Sequence, residues 1–189
     1  MGIVFGKTGV AEPTFEVLAS CTSYEIRRYS PRFGITTTCA SDNTGFRSLA
    51  GYIGVTGPPQ NSLSESISMT APVIKSEGKM QFILPQNYDD LSKIPKPSNE
   101  NVKVFSIPEE TGAVKVFSGW VNDAKAEEVK ASLYEGLREG GVVLGEGRKW
   151  QLWQYNPPFT IPWLRRNEIW VELKEEEVKK AKEYCKKSE

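Results

Sequence analysis

Alternation of apolar and polar side chains marks the first regular element. In Tyr24-Glu25-Ile26-Arg27-Arg28-Tyr29, one face carries Tyr24, Ile26 and Arg28, and the other Glu25, Arg27 and Tyr29. A period of two predicts a strand. Pro31 interrupts it, and the β-branched run Ile35-Thr36-Thr37-Thr38 predicts a second strand over residues 33–39. The period then lengthens. Behind the polar start Asp42-Asn43-Thr44, the residues Phe46, Leu49, Ala50 and Ile53 recur at i, i+3, i+4 and i+7. That stripe predicts a helix with one apolar face, stopped by Gly54 and Gly57-Pro58-Pro59.

Residues 67–74 predict a strand interrupted at Pro72, hence an edge or a bulge. Glu77-Gly78 turns the chain into a strand over residues 80–84, and the proline-rich stretch 85–100 is a long connection. Residues 102–107 predict a strand, Glu110-Thr111-Gly112 a turn, and residues 113–120 its partner strand. Asn122-Asp123 starts a second helix striped by Ala126, Val129, Leu133 and Leu137 and ended by Gly140-Gly141. Strands over 150–155 and 169–173 follow. The tail, residues 174–189, is mostly charged, with a thin stripe of Val178, Ala181 and Cys185, and predicts a solvated terminal helix.

The order strand, helix, strand, strand occurs twice. Thr70-Ala71-Pro72-Val73 matches Asn156-Pro157-Pro158-Phe159, and residues 80–84 match 169–173, at offsets of about 86–89 residues. This predicts an α+β fold: one domain over residues 1–189, with pseudo-repeats at about 20–100 and 101–173. The repeats would form a curved sheet or barrel flanked by two main helices.

Composition removes several chemistries. The 189 residues include 24 Lys+Arg, 24 Asp+Glu and no histidine. Ser-His-Asp and Cys-His catalytic sets, histidine-ligated zinc and a proximal haem histidine are therefore excluded. A net charge of zero supplies no general attraction to nucleic acid. Cys21, Cys39 and Cys185 are scattered, with no Cys-x-x-Cys and no following proline. They predict reduced thiols in a cytoplasmic protein. No apolar run reaches a membrane span, residues 1–10 lack the long apolar core of a secretory signal, and Gly6 stands where a myristoylation motif has Ser or Thr.

Four segments together resemble the SOUL haem-binding protein family. They are Tyr-Glu-Ile-Arg-Arg-Tyr (24–29), Gly-Phe-Arg-Ser-Leu-Ala-Gly-Tyr-Ile-Gly (45–54), Ile-Ser-Met-Thr-Ala-Pro-Val (67–73), and Tyr-Asn-Pro-Pro-Phe (155–159) followed by Arg-Arg-Asn-Glu-Ile-Trp-Val (165–171). Their order and spacing carry the likeness over about residues 13–173, and the Met-Gly-x-Val-Phe-Gly-Lys start is similar to the plant and algal cytosolic branch.

That resemblance implies a distorted antiparallel β-barrel of two βαββ-type repeats. It also implies reversible binding of haem or another tetrapyrrole in a shallow apolar groove, as a carrier or buffer serving haem-using or haem-degrading enzymes. The groove would lie between the first helix (Phe46, Arg47, Leu49, Ala50, Ile53) and the loop before the last strand (Phe159, Trp163, Arg165, Arg166). Some animal members place an axial histidine where Arg28 stands. Others use basic residues where this chain has Asn43, Gly51 and Ile161, so Arg47, Arg165 and Arg166 would serve the propionates here. The physics suits a flat apolar plate with two carboxylates: apolar burial and aromatic stacking hold the plate, and arginines pair with the edge.

The alternative is an enzyme acting on a hydrophobic small molecule in the same groove. Glu25, Glu65, Glu168, Tyr24, Tyr29, Tyr52 and Tyr155 offer acid–base chemistry without histidine, but their spacing selects no pair. No catalytic residue and no metal ligand is assigned.

Overall fold

The computed structural model describes residues 9–38, 41–145 and 147–186. In chain order these form β1 (Phe15–Ser20), β2 (Glu25–Tyr29), β3 (Arg32–Thr38), α1 (Asp42–Ile53), β4 (Val73–Ser76), β5 (Lys79–Ile83), β6 (Lys103–Ile107), β7 (Glu110–Phe117), α2 (Asp123–Glu139), β8 (Trp150–Gln154), β9 (Asn167–Glu172) and α3 (Glu175–Cys185). The class is α+β, as expected, and every paired strand described below is antiparallel. Residues 1–8 and Cys39 lie outside the described residues, so the readings made on them are not addressed.

The chain divides into two compact units. One joins Thr14–Ser30 to the chain from Glu109 onward; the other joins Gly9–Pro13 to Pro31–Pro108. In the first unit the strand order is β1-β2-β7-β9-β8. Register sets Ile26 opposite Ala113, Ala113 opposite Val171, and Leu152 opposite Ile169. These side chains share one face, and onto it α2 packs Ala126, Val129, Leu133 and Leu137 while α3 packs Ala181 and Cys185. Alternation sends Arg27, Tyr29, Trp153, Glu168 and Trp170 to the opposite face. Gly112 leaves no room for a side chain: a Cβ there would stand 2.6 Å from both Trp170 Nε1 and the Val171 carbonyl.

In the second unit the order is β4-β5-β3-β6. Helix α1 lies on β3 and β5 and buries Leu49, Ala50, Tyr52 and Ile53 against Ile35, Met80 and Phe82. The helix starts at Asp42, as the polar cluster predicts, and Ser41 before it is the cap: its side chain accepts from Thr44 N at 3.4 Å, and Thr44 Oγ1 accepts in turn from Ser41 N at 3.3 Å. Gly54 ends it at φ +86, where a Cβ would lie 2.7 Å from Pro59. The exit loop is held by Asn61, whose Nδ2 donates to the Tyr52 and Glu65 carbonyls at 2.9 and 2.8 Å. Its Oδ1 accepts from Leu63 N and Glu65 N at 3.3 and 3.0 Å.

The two βαββ repeats are β3-α1-β4-β5 and β7-α2-β8-β9, with spatial orders β4-β5-β3 and β8-β9-β7. Several expectations change. β6 and β7 are not partners: β6 pairs with β3, and β7 with β2 and β9. Glu110-Thr111-Gly112 lies within β7 rather than in a turn, because this segment pairs with β2. Ile67 to Ala71 is not strand; its chain is bonded elsewhere, with Ala71 N donating to the Ala11 carbonyl at 2.9 Å, and the Ala71–Pro72 peptide is cis. Thr70-Ala71-Pro72-Val73 leads into β4, whereas Asn156-Pro157-Pro158-Phe159 follows β8, so the two are not equivalent. β1 was not foreseen at all.

The cysteine reading is also overturned. Cys21 and Cys185 form a disulfide across 164 residues, with a Cα–Cα separation of 4.8 Å. The terminal helix is therefore docked rather than wholly solvated: Ala181 and Cys185 are buried. Linear spacing carried no sign of this, because α3 returns to the β1–β2 turn only in three dimensions.

Asn61→Ala is expected to leave the buried Tyr52 carbonyl unpaired, at about 1–3 kcal/mol, and to free the partly buried backbone groups of Leu63 and Glu65. The urea midpoint should fall with the m-value unchanged; an unaltered midpoint would show that the clasp contributes nothing.

Candidate functional site

The sheet face opposite α2 in the first unit holds an unusual group. Glu168, on β9, has no exposed surface. Its Oε1 accepts from Arg27 Nη1 and Arg166 Nε, both at 2.9 Å, and its Oε2 accepts from the Tyr155 hydroxyl at 2.8 Å. Arg27 also pairs with Glu25 at 2.6 Å and donates to the Tyr29 hydroxyl at 3.3 Å. A buried carboxylate is tolerated only when paired and hydrogen-bonded, and this one has both kinds of partner. Aromatic rings close the face: Tyr29 meets Phe15 and Trp153 with ring centres 5.2 and 5.0 Å apart, and Trp153 stacks on Trp170 at 6.1 Å.

Burial pushes the Tyr29 phenol up to about 12, with the neighbouring Glu168 charge adding to the rise and Arg27 opposing it. Burial, then Glu168, drives Tyr155 higher still. The Arg27 guanidinium is disfavoured by desolvation, but Glu168 and Tyr29 more than offset this and raise it overall. The group is a satisfied ion network with neutral phenols, well suited to fixing geometry.

The network also fixes the loop that leaves it. Tyr155 N donates to the Arg166 carbonyl at 3.2 Å, and Arg166 N to Asn156 Oδ1 at 2.7 Å, closing residues 155–166 at the base. Arg166 lies over the Tyr155 ring at 3.8 Å. Inside the loop, Arg165 is only 9% exposed. Its Nε donates to the Thr160 carbonyl at 2.9 Å, its Nη2 to the Pro158 carbonyl, and its guanidinium covers the Trp120 ring at 3.6 Å. Desolvation lowers its pKa. Gly119 N donates to the Pro162 carbonyl at 2.9 Å, and Asn167 Nδ2 to the Gly119 carbonyl at 3.1 Å, tying the chain after β7 to the same loop.

Three large rings stand out from this hub: Trp120 at 64%, Phe159 at 68% and Trp163 at 74% exposure. The residues bonded to Arg165 and Pro162 are their immediate chain neighbours, so one arginine holds all three segments. Phe159 and Trp163 were expected from the sequence. Trp120 was read as strand, yet it lies past the end of β7; Gly119 before it and the Asn122 cap after it are the signals that marked a loop.

The remaining expected residues are placed differently. Arg28 belongs to the alternation set of Tyr24 and Ile26, away from Arg27 and Glu168, and pairs with Glu16 at 3.5 Å and Glu109 at 3.9 Å. On α1, which belongs to the other unit, Phe46 is exposed and meets Phe82 edge-on at 5.4 Å, and Arg47 is exposed. Leu49, Ala50 and Ile53 are core, with 0%, 0% and 2% exposure, and present no surface to a ligand in this arrangement. Glu65, one of the acid–base candidates, accepts from the Tyr88 hydroxyl at 2.7 Å. Among the described residues no three His, Cys, Asp or Glu side chains gather as a metal site, and no helix is long and apolar enough to cross a membrane.

Residues 10–172 match the SOUL heme-binding protein family. Heme-binding protein 2 of Mus musculus is 31% identical over 169 residues, covering 82% of this chain and 80% of that protein. Heme-binding protein 2 of Homo sapiens is 30% identical over 172 residues, covering 83% and 81%. Among solved structures, the EcmrR C-terminal domain aligns with a TM-score of 0.52 at 10% identity, covering 83% of this chain and 98% of that one. A hydrolase from Listeria innocua aligns with a TM-score of 0.52 at 10% identity, covering 82% and 93%. At such identity the two structures share the fold alone.

Glu168→Ala removes the shared counter-charge of Arg27 and Arg166, and breaking a buried pair in this way should cost about 3–5 kcal/mol. Urea denaturation reads this loss, and a change below about 1 kcal/mol would reduce the network to a surface-like pair. At high pH the sign follows from the neutral phenols. An unfolded tyrosine ionises near about 10, whereas Tyr29 holds its proton to about 12. Stability is therefore complete below the unfolded value and falls as pH rises from it towards the folded one. The urea midpoint should drop between those two values, and Tyr29→Phe should make the drop shallower.

Proposed function

The chain belongs to the SOUL heme-binding protein family, and from that premise we propose that it takes up haem or a related tetrapyrrole reversibly, as a carrier or buffer without histidine ligation. The observation that carries the reading is the exposed aromatic set Trp120, Phe159 and Trp163 around the buried Arg165. A porphyrin offers a wide apolar face, and burying it releases about 25 cal/mol per Å². A loop whose backbone is already hydrogen-bonded loses little freedom when the rings it carries meet a ligand. Arg166, with 33% of its side chain exposed, supplies the positive charge proposed for a propionate. Haem-using or haem-degrading enzymes are the recipients in this proposal, and the cytoplasm its compartment.

Because the chain has no histidine, affinity on this reading comes from the macrocycle rather than from imidazole–iron bonding. Hemin and iron-free protoporphyrin IX should therefore bind with similar strength. Titration followed by the Soret band should saturate for both. Trp120→Ala and Trp163→Ala should each weaken binding by about 0.5–1.5 kcal/mol, or about two- to tenfold, with the circular dichroism spectrum unchanged. Absence of a saturable change in the parent protein, or strong binding of hemin alone, would refute the proposal.

A further inference from the structure

The disulfide between Cys21 and Cys185 lies outside the proposed ligand site and asks for its own account. Helix α3 has eleven residues, most of them charged. An isolated helix of that length is marginal in water. At its start it is tied by Arg148 to Glu177 at 2.5 Å and by Lys174 N to Glu177 Oε2 at 2.8 Å. Towards its end the described anchors are Ala181, Cys185 and the sulfur bridge to the β1–β2 turn. Beneath this end lies a polar group that burial penalises. The Tyr24 hydroxyl is buried without a hydrogen-bond partner among the described residues. Burial raises its pKa, with Tyr184 of α3 as the next cause. A Cβ on Gly140 would stand 3.2 Å from both that hydroxyl and the Tyr184 ring. Docking of the helix end thus leaves one hydrogen bond unmade, and a covalent closure offsets it.

We propose that Cys21 and Cys185 form a reversible modification site, a redox clasp that latches the end of α3 onto the first unit when oxidised and releases it when reduced. The reagent class is a low-molecular-weight disulfide such as that of glutathione. Cys21 is partly exposed and Cys185 buried, so the Cys21 thiolate attacks the small disulfide first. One thiolate leaves, and a mixed disulfide forms on Cys21. The Cys185 thiolate then attacks the Cys21 sulfur, expelling the second thiolate. The two cysteine protons go to the two released thiolates, and two electrons pass from the protein to the small disulfide. A dithiol reverses the sequence.

The full chain, equilibrated in glutathione buffers from reducing to oxidising, tests this without any tetrapyrrole. Alkylation and intact mass should show two of the three thiols lost on oxidation, and peptide mapping should join Cys21 to Cys185. Hydrogen exchange at residues 178–185 should speed by about an order of magnitude or more on reduction, while β7 and β9 stay protected. The Cys185→Ser variant should hold glutathione on Cys21, and the Cys21→Ser/Cys185→Ser pair should exchange like the reduced protein in every buffer. Free Cys21 and Cys185 under oxidising conditions, a bridge to Cys39, or equal exchange in both states would each overturn the clasp.

Discussion

A carboxylate with no contact to water is the constraint on which the first unit depends. Glu168 is fully buried, and there Arg27 and Arg166 each reach it at 2.9 Å and Tyr155 donates at 2.8 Å. Removing charges from water is costly, and the attraction between them repays that cost only at good geometry. The position of each partner is therefore narrowly defined. Arg27 comes from β2 and Glu168 from β9, on either side of β7, so the network specifies how three strands sit together. The aromatic layer of Tyr29, Trp153 and Trp170 excludes water from it and strengthens every interaction inside.

Through Arg166 and Tyr155 the same constraint reaches the proposed binding surface. These two residues stand at the ends of the loop that carries Phe159 and Trp163. With the base closed, Arg165 turns inward and spends its donors on the Thr160 and Pro158 carbonyls while stacking on Trp120. Backbone bonds hold the loop that carries Phe159 and Trp163, and the Arg165 guanidinium covers the Trp120 ring. Arg165 of the motif is thus the one that shapes the loop, while its neighbour Arg166 pairs with Glu168 and keeps a third of its side chain exposed.

Much of the fold was legible along the chain. The stripes of Phe46, Leu49, Ala50 and Ile53, and of Ala126, Val129, Leu133 and Leu137, marked both main helices. Alternation at residues 24–29 assigned Arg27 and Tyr29 to one face and Ile26 to the other, as the register confirms. The candidate site was only partly legible. A helical stripe looks the same whether it faces a core or a ligand, and Leu49, Ala50 and Ile53 turned inward. β6 and β7 are adjacent in sequence yet pair elsewhere, because hydrogen bonding across strands leaves no local mark.

Periodicity, capping residues and turn chemistry act between neighbours in sequence, so the chain by itself determined its two main helices, most of its strands and its duplicated βαββ plan. Contacts between distant residues obey no such local rule. Only the tertiary structure brought Arg27 to Glu168 across 141 positions, set Trp120 beside Arg165, and joined Cys21 to Cys185. Each depends on which strands pair and where a helix returns, and those choices are made by the burial of whole faces rather than by any single stretch of chain.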